Sequence, residues 1–574
     1  MKTRLLLAFF LFCNAAGLAL DREAFTPTSY DLQAEVDPDQ HRLAVRGKVI
    51  LRNDSQNPQR IAVLQVSSSL SWHSIKAGDT PLQFVSQPYT SDMDHTGALS
   101  EAIVTLPQAV APKGTIELQI GYEGVIVLDA TRLTRMGTPE AQASSSDGDQ
   151  ISATFTAVRG AGYVAWYPIT TESANLSEEN SLFDVLGRWK AREAGSTMHL
   201  RIAMSENSGE GPPELLVNLE SCQAMNEAVG RAQKLSADCT YQPLRFVAPL
   251  FVMAHYQDLE RPSIEIHYLR GHDKLAESYA DAAEKVVPFI TQWFGSLRRK
   301  MNIADLPDAN TPFEGLPFLF RPLTSTDAQL IELDSAHQLA HAAFSSPRPW
   351  INEGIAHFAQ ALYFENEKGR RLALQYMARH GFALSEAEKL TTAPHSDDEV
   401  NRSLLNTSSE DFYRTKAMYV WWMLRDMLGD AALKKIIAAY RSEEDNDVSY
   451  LPRLIQSQSQ RNLDWFFDDW VNRDRGLPSF RVASAFARKT AANAYLLTVT
   501  VENTGTCGAE VPVAIRFAGG ELTRRAEVHA KSSAIVRVEI PSQPQEVIVN
   551  DGSVPESGDG AKPFKINSVA DDAK

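Results

Sequence analysis

Cysteine is scarce in this sequence, with four residues in 574, and no Cys-x-x-Cys pair occurs, which argues against a thiolate zinc site or a dithiol redox motif. Positive charge is in deficit: the net charge is −16 and there is no long lysine or arginine stretch, so phosphate neutralisation along a nucleic acid has no surface to work with. Long apolar runs are also missing outside the extreme N-terminus, so no membrane span is expected after it. There, Lys2 and Arg4 precede the apolar stretch Leu5 to Phe12, and Gly17-Leu18-Ala19 supplies small residues. This pattern reads as a secretory signal peptide over residues 1–19, cleaved after Ala19, and predicts export to the periplasm or the extracellular space. Of the remaining cysteines, Cys222 and Cys239 lie in one short stretch and are expected to pair, leaving Cys507 as a buried thiol.

The chain is too long for a single core, and its apolar pattern divides it. Over residues 20–268 the period is two. Tyr30, Leu32, Ala34 and Val36 alternate with polar residues, Asp37-Pro38-Asp39 makes a turn, and Leu43 to Leu51 returns, which predicts a hairpin within a β-saddle or sandwich. Residues 140–150 read as an exposed loop. From residue 269 to 476 the period is close to four. Leu275, Tyr279, Ala282, Val286, Ile290 and Phe294 share one helical face, with Asp273 placed to cap it. Helices are expected at 326–345 and 350–366, parted by Pro347 and Pro349, and again at 408–428 and 461–472. Residues 477–550 return to strand alternation and predict a small immunoglobulin-like sandwich, and residues 551–574 read as a disordered tail.

The chemistry concentrates in His337-Gln338-Leu339-Ala340-His341, followed by Trp350-Ile351-Asn352-Glu353-Gly354. Two histidines four residues apart on a helix project from one face, so both rings can reach one ion. A carboxylate from the next helix can add a third ligand and leave a fourth position open. Trp350-Ile351-Asn352-Glu353-Gly354-Ile355-Ala356 resembles the segment that carries the third zinc ligand in the aminopeptidase N-like gluzincin metallopeptidases. The order of β-rich, helical and β units is similar to that family over nearly the whole chain.

The resemblance implies a thermolysin-like catalytic unit over 269–476 and one zinc ion held by His337, His341 and Glu353, with a peptide as the ligand or substrate. It further implies that Tyr413, in Phe412-Tyr413-Arg414-Thr415-Lys416, donates to the oxyanion, and that Glu314, in Phe313-Glu314-Gly315, holds the α-amino group of an aminopeptidase substrate. Tyr413 stands one residue further from Lys416 than the family pattern has it. Asp334, one turn before His337, is placed to accept from an imidazole N–H, and His357, one turn after Glu353, to pack beside the site.

One position departs in kind. Gln338 replaces the glutamate of His-Glu-x-x-His, which takes a proton from the attacking water and returns it to the leaving amine. An amide cannot shuttle a proton at neutral pH, and loss of a positioned base costs about 10² to 10⁴ in rate. The sequence therefore leaves two readings: a metallopeptidase of aminopeptidase type with impaired turnover, or a pseudopeptidase that binds zinc and peptides.

Overall fold

The computed structural model describes residues 20–178, 181–206, 213–218, 222–229, 232–325, 327–389, 402–407, 409, 411–490, 493–558 and 562–566. The proposed signal peptide lies outside them. The hairpin forms as its alternation predicts: Phe25–Asp37 pairs antiparallel with Arg42–Asn53, and Tyr30, Leu32, Ala34 and Val36 are all buried on one face. These strands sit inside an eight-stranded sheet that runs out to Cys222–Val229 at one edge. There Cys222 lies directly across from Cys239 and is joined to it by a disulfide, as expected. Such a bridge is consistent with an exported protein. Two three-stranded sheets complete the N-terminal part. Among the described residues, no helix is long and apolar enough to cross a membrane.

Residues 140–150 are not an exposed loop. Glu140–Ser146 is a short helix, and beyond it Asp147 and Asp149 are buried against Arg132 and Arg159. Those partners are distant enough in sequence to leave no local signal. A helix also occupies Ser181–Glu193 within the strand-rich part.

A five-stranded mixed sheet follows, in the order Gln257–Glu260, Ile264–Tyr268, Met301–Asp305, Phe318–Arg321 and Phe313–Gly315. It crosses the boundary expected at residue 268, because Ile264–Tyr268 pairs parallel with Met301–Asp305. The connection between these two is the Asp273–Phe294 helix, which buries Tyr279, Ala282, Val286, Ile290 and Phe294. Asp273 is its first residue rather than its cap, and His272 holds the cap position. The short strand Phe313–Gly315 at the sheet edge carries Glu314.

The two central helices are Ala328–Ala343 and Pro349–Lys368. The first is capped by Asp327, whose carboxylate accepts from the backbone N–H groups of Gln329 and Leu330. The second opens on Pro349, where a missing N–H costs nothing. The turn between them is tied down by Ser346 and Arg348. The Ser346 hydroxyl meets the Tyr440 hydroxyl at 2.8 Å, and the Arg348 guanidinium donates to Asp445 at 2.7 Å. Gly354 lets the second helix approach Ala417–Leu428 closely, since a Cβ there would stand 2.7 Å from the Ala417 methyl.

Ala417–Leu428 is preceded by one turn of π-helix, Asp411–Lys416. Its last residue, Lys416, is buried and donates to Glu388 at 2.9 Å and to Asp474 at 2.7 Å. Burial alone would lower the lysine's proton affinity, but the two carboxylates outweigh it and hold the ammonium charged.

Beyond residue 477, sheets of three and four strands bury Leu497, Val499 and Val501 from one and Val511, Val513 and Ile515 from the other. The described part of the tail is structured. Ser553 and Val554 are buried, and Phe564–Lys565 pairs with Pro544–Val549.

Candidate metal centre

His337 and His341 emerge from the same face of the Ala328–Ala343 helix, and their Nε2 atoms lie 3.2 Å apart. Glu353, from the facing helix, brings one carboxylate oxygen to 3.5 Å from His341 Nε2 and the other to 3.9 Å from His337 Nε2. Ligand atoms on a tetrahedral zinc with bonds of about 2.0–2.1 Å stand about 3.3 Å apart. The three side chains therefore fit zinc in donor type, and the closest approach within each pair is near that spacing, the two Glu353 distances being to different carboxylate oxygens. Both imidazoles are 5% exposed or less. The three motif residues are brought within reach of one another, as are Glu214, Asp258 and His267 elsewhere in the chain.

Asn352, beside Glu353, supports His341: its side-chain nitrogen lies 3.2 Å from His341 Nδ1. The oxygen of the same amide accepts from the Ser346 backbone N–H at 3.2 Å, which ties the His341 ring to the turn between the two helices. His357 packs edge-on against His337, with ring centroids 4.7 Å apart, and its Nε2 is buried with no hydrogen-bond partner among the described residues. Burial, and after it the charge of His337, keep His357 neutral. Asp334 does not serve an imidazole. It pairs with Arg321 on the neighbouring sheet.

Gln338 is 3% exposed, and its side-chain N–H donates to Glu314 Oε1 at 2.8 Å. The same Glu314 oxygen lies 3.1 Å from His337 Nε2, so this carboxylate stands beside the triad. Burial pushes the Glu314 carboxyl up, but His337, and after it Arg414, outweigh burial and hold it well below the usual carboxylate range. Glu314 is thus an anion at the rim, with its side chain 27% exposed.

Tyr413 lies on the π turn, partly buried and packed against the central core. The charged side chain that this turn brings to the centre is Arg414. Its guanidinium lies 3.7 Å from Glu314 and 3.7 Å from Glu353, spanning the two carboxylates. Arg414 is not among the residues that the motif singles out. The signal was the offset of Tyr413 from Lys416: it is Arg414 that stands two residues before Lys416. A second cluster was also missed. His267 Nδ1 meets Glu214 at 3.1 Å and Asp258 at 2.9 Å, joining the strand Glu214–Val217 to the five-stranded sheet. Burial would lower the His267 pKa, but the two acids outweigh it and raise it, as suits an imidazolium clasp.

No family model matches the chain, and neither does any curated protein. Among solved structures it is similar to a mutant form of an M1 zinc metallopeptidase from Deinococcus radiodurans, at 16% identity over 80% of this chain and 96% of that chain, with a TM-score of 0.45. A further structure of an M1 zinc metallopeptidase from Deinococcus radiodurans is 15% identical over 76% of this chain and 91% of that chain, with a TM-score of 0.43.

Proposed function

We propose that this chain is an exported, peptidase-like protein that binds peptides at one zinc ion held by His337, His341 and Glu353, with hydrolysis slowed because Gln338 stands in the base position. The observation that carries the reading is the convergence of two buried imidazoles and one carboxylate from neighbouring helices, with closest approaches between their donor atoms of 3.2, 3.5 and 3.9 Å. Zinc, when bound, supplies Lewis-acid polarisation of a substrate carbonyl and of water.

The protein's own groups divide the remaining work. Asn352 contacts the His341 ring, and Gly354 sets the distance between the helix that carries Glu353 and the Ala417–Leu428 helix. Glu314 provides a fixed anion at the rim, and Tyr413, on the adjoining turn, is the proposed oxyanion donor by family resemblance. Hydrolysis of a peptide bond is the activity to assay first. Gln338 orients ligands and water through its amide but accepts no proton at neutral pH.

Turnover of aminoacyl reporters and of amino-blocked peptide reporters that carry a carboxylate is compared between the natural protein and Gln338→Glu, both loaded with zinc. A gain of about 10² to 10⁴ in the variant is the expected result. Equal, chelator-sensitive turnover in both would remove Gln338 as the limiting feature. A second reading, a module that binds and never cleaves, is favoured by the Gln338–Glu314 hydrogen bond, which commits the amide as a donor to a fixed anion. Binding without cleavage by either form would select it.

A further inference from the structure

The charges that surround the triad decide which end of a ligand the site accepts. A divalent ion on His337, His341 and Glu353 brings two positive charges against one carboxylate. Glu314 adds a second carboxylate, which balances the ion. Gln338 contributes no charge, and Arg414 adds a cation that lies 3.7 Å from both Glu314 and Glu353. The sum at the centre is one net positive charge. With a carboxylate in place of Gln338 and a neutral residue in place of Arg414, the same sum would be one net negative charge, which suits an ammonium group. The two substitutions act in the same direction and reverse the sign.

The position of Arg414 works to the same end. A ligand amine anchored on Glu314 would meet a guanidinium already there, and like charges at such a separation repel. A ligand carboxylate meets the opposite situation: a metal ion on one side and a planar guanidinium, suited to carboxylates, on the other. Arg414 is also held in place by the backbone that follows it. Lys416, two residues on, is locked between Glu388 and Asp474, which fixes the π turn.

We propose that Arg414 makes this centre a carboxylate-binding site, so that the ligand enters with an anionic group, a peptide C-terminus or an acidic side chain, and not with its α-amine. The proposal rests on the zinc reading above and goes beyond it by naming the chemical class of the ligand. Arg414 is the residue that sets specificity, and Gln338 is its counterpart, since a carboxylate there would repel the same ligand.

Isothermal titration calorimetry on the zinc-loaded protein tests this with three probes. N-acetyl-leucyl-glycine offers only a C-terminal carboxylate, N-acetyl-aspartyl-glycine amide offers only a side-chain carboxylate, and leucyl-glycine amide offers only an amine. At least one carboxylate probe should bind roughly tenfold or more tighter than the amine probe, and the tighter of the two identifies the source of the anion. Arg414→Gln should erase that preference while keeping its zinc, and Arg414→Lys, which retains the charge, should keep most of it. Equal binding of all three probes, tighter binding of the amine, or an unchanged preference in Arg414→Gln would overturn the proposal. Loss of zinc from Arg414→Gln would overturn it too, by making the guanidinium a support of the metal rather than a contact of the ligand. In each of these cases a natural protein that still holds zinc leaves the zinc reading standing. A natural protein that binds no zinc fails that reading first.

Discussion

Gln338→Glu has a consequence for stability that is separate from any effect on turnover. The substitution puts a carboxylate where an amide now donates to Glu314 at 2.8 Å. Two like charges at that separation repel by about 6 kcal/mol at an effective dielectric near 20. Taking up a proton is the cheaper course, since holding a glutamic acid neutral at pH 7 costs about 4 kcal/mol. The introduced carboxyl therefore protonates, donates to Glu314 and restores the hydrogen bond. In the chelator-treated protein the variant should be less stable by about 4 kcal/mol at pH 7 and by about 1 kcal/mol at pH 5. Zinc supplies the missing positive charge, so in the loaded protein the deficit should shrink to about 1 kcal/mol at pH 7. For a unit of this size, each kcal/mol moves the melting temperature by about 2–4 °C, so the metal-free deficit at pH 7 amounts to roughly 10 °C. Thermal unfolding of both forms, with and without zinc and at both pH values, measures it. The same deficit under all four conditions would refute the reasoning, because it would show that the introduced group does not feel Glu314 or the metal.

Two other perturbations follow from the structure. Glu193 is buried, and burial pushes its carboxyl from 4.5 up to about 8. The Tyr30 hydroxyl lies 2.9 Å from the Pro168 carbonyl and 2.8 Å from Glu193, and its single proton cannot serve both, so a protonated Glu193 completes the chain as donor. Between pH 4.5 and about 8 the folded state binds more protons than the unfolded, so stability is fullest below 4.5 and falls by up to about 5 kcal/mol as pH rises through about 8. Glu193→Gln should flatten that dependence in melting curves taken from pH 5 to 9, and an unchanged slope would count against it. Gly354→Ala would drive a methyl to 2.7 Å from Ala417 and 3.0 Å from Trp421. It should cost about 1–3 kcal/mol and weaken zinc, read by chelator competition, by roughly tenfold through displacement of Glu353. Unaltered zinc affinity would mean that the helix spacing does not set the site.

What the sequence makes legible here is what local periodicity encodes. His337 and His341 fall on one face because a straight helix carries them, and Glu353 follows from a second helix that opens on Pro349. The hairpin at Phe25–Asp37 was readable for the same reason, at period two. Arg414 was not, because a π turn carries more residues per turn than an α-helix and shifts which side chain faces inward. Tyr413, on the same turn, enters through the family resemblance and not through spacing. Asp334 was misassigned because Arg321, its partner, lies on a sheet strand that helical periodicity says nothing about. The burial of Asp147 and Asp149 after the Glu140–Ser146 helix and the strand at Phe564–Lys565 depend on contacts made only in the folded chain, against Arg132 and Arg159 in one case and Pro544–Val549 in the other.

The central claim is that His337, His341 and Glu353 together hold one zinc ion. Elemental analysis of the purified, zinc-equilibrated protein beside His341→Ala and Glu353→Ala tests it most directly. The account predicts about one zinc per chain in the natural protein, released by chelators, and a large loss in both variants. A natural protein without zinc, or variants that keep a full complement, would contradict it.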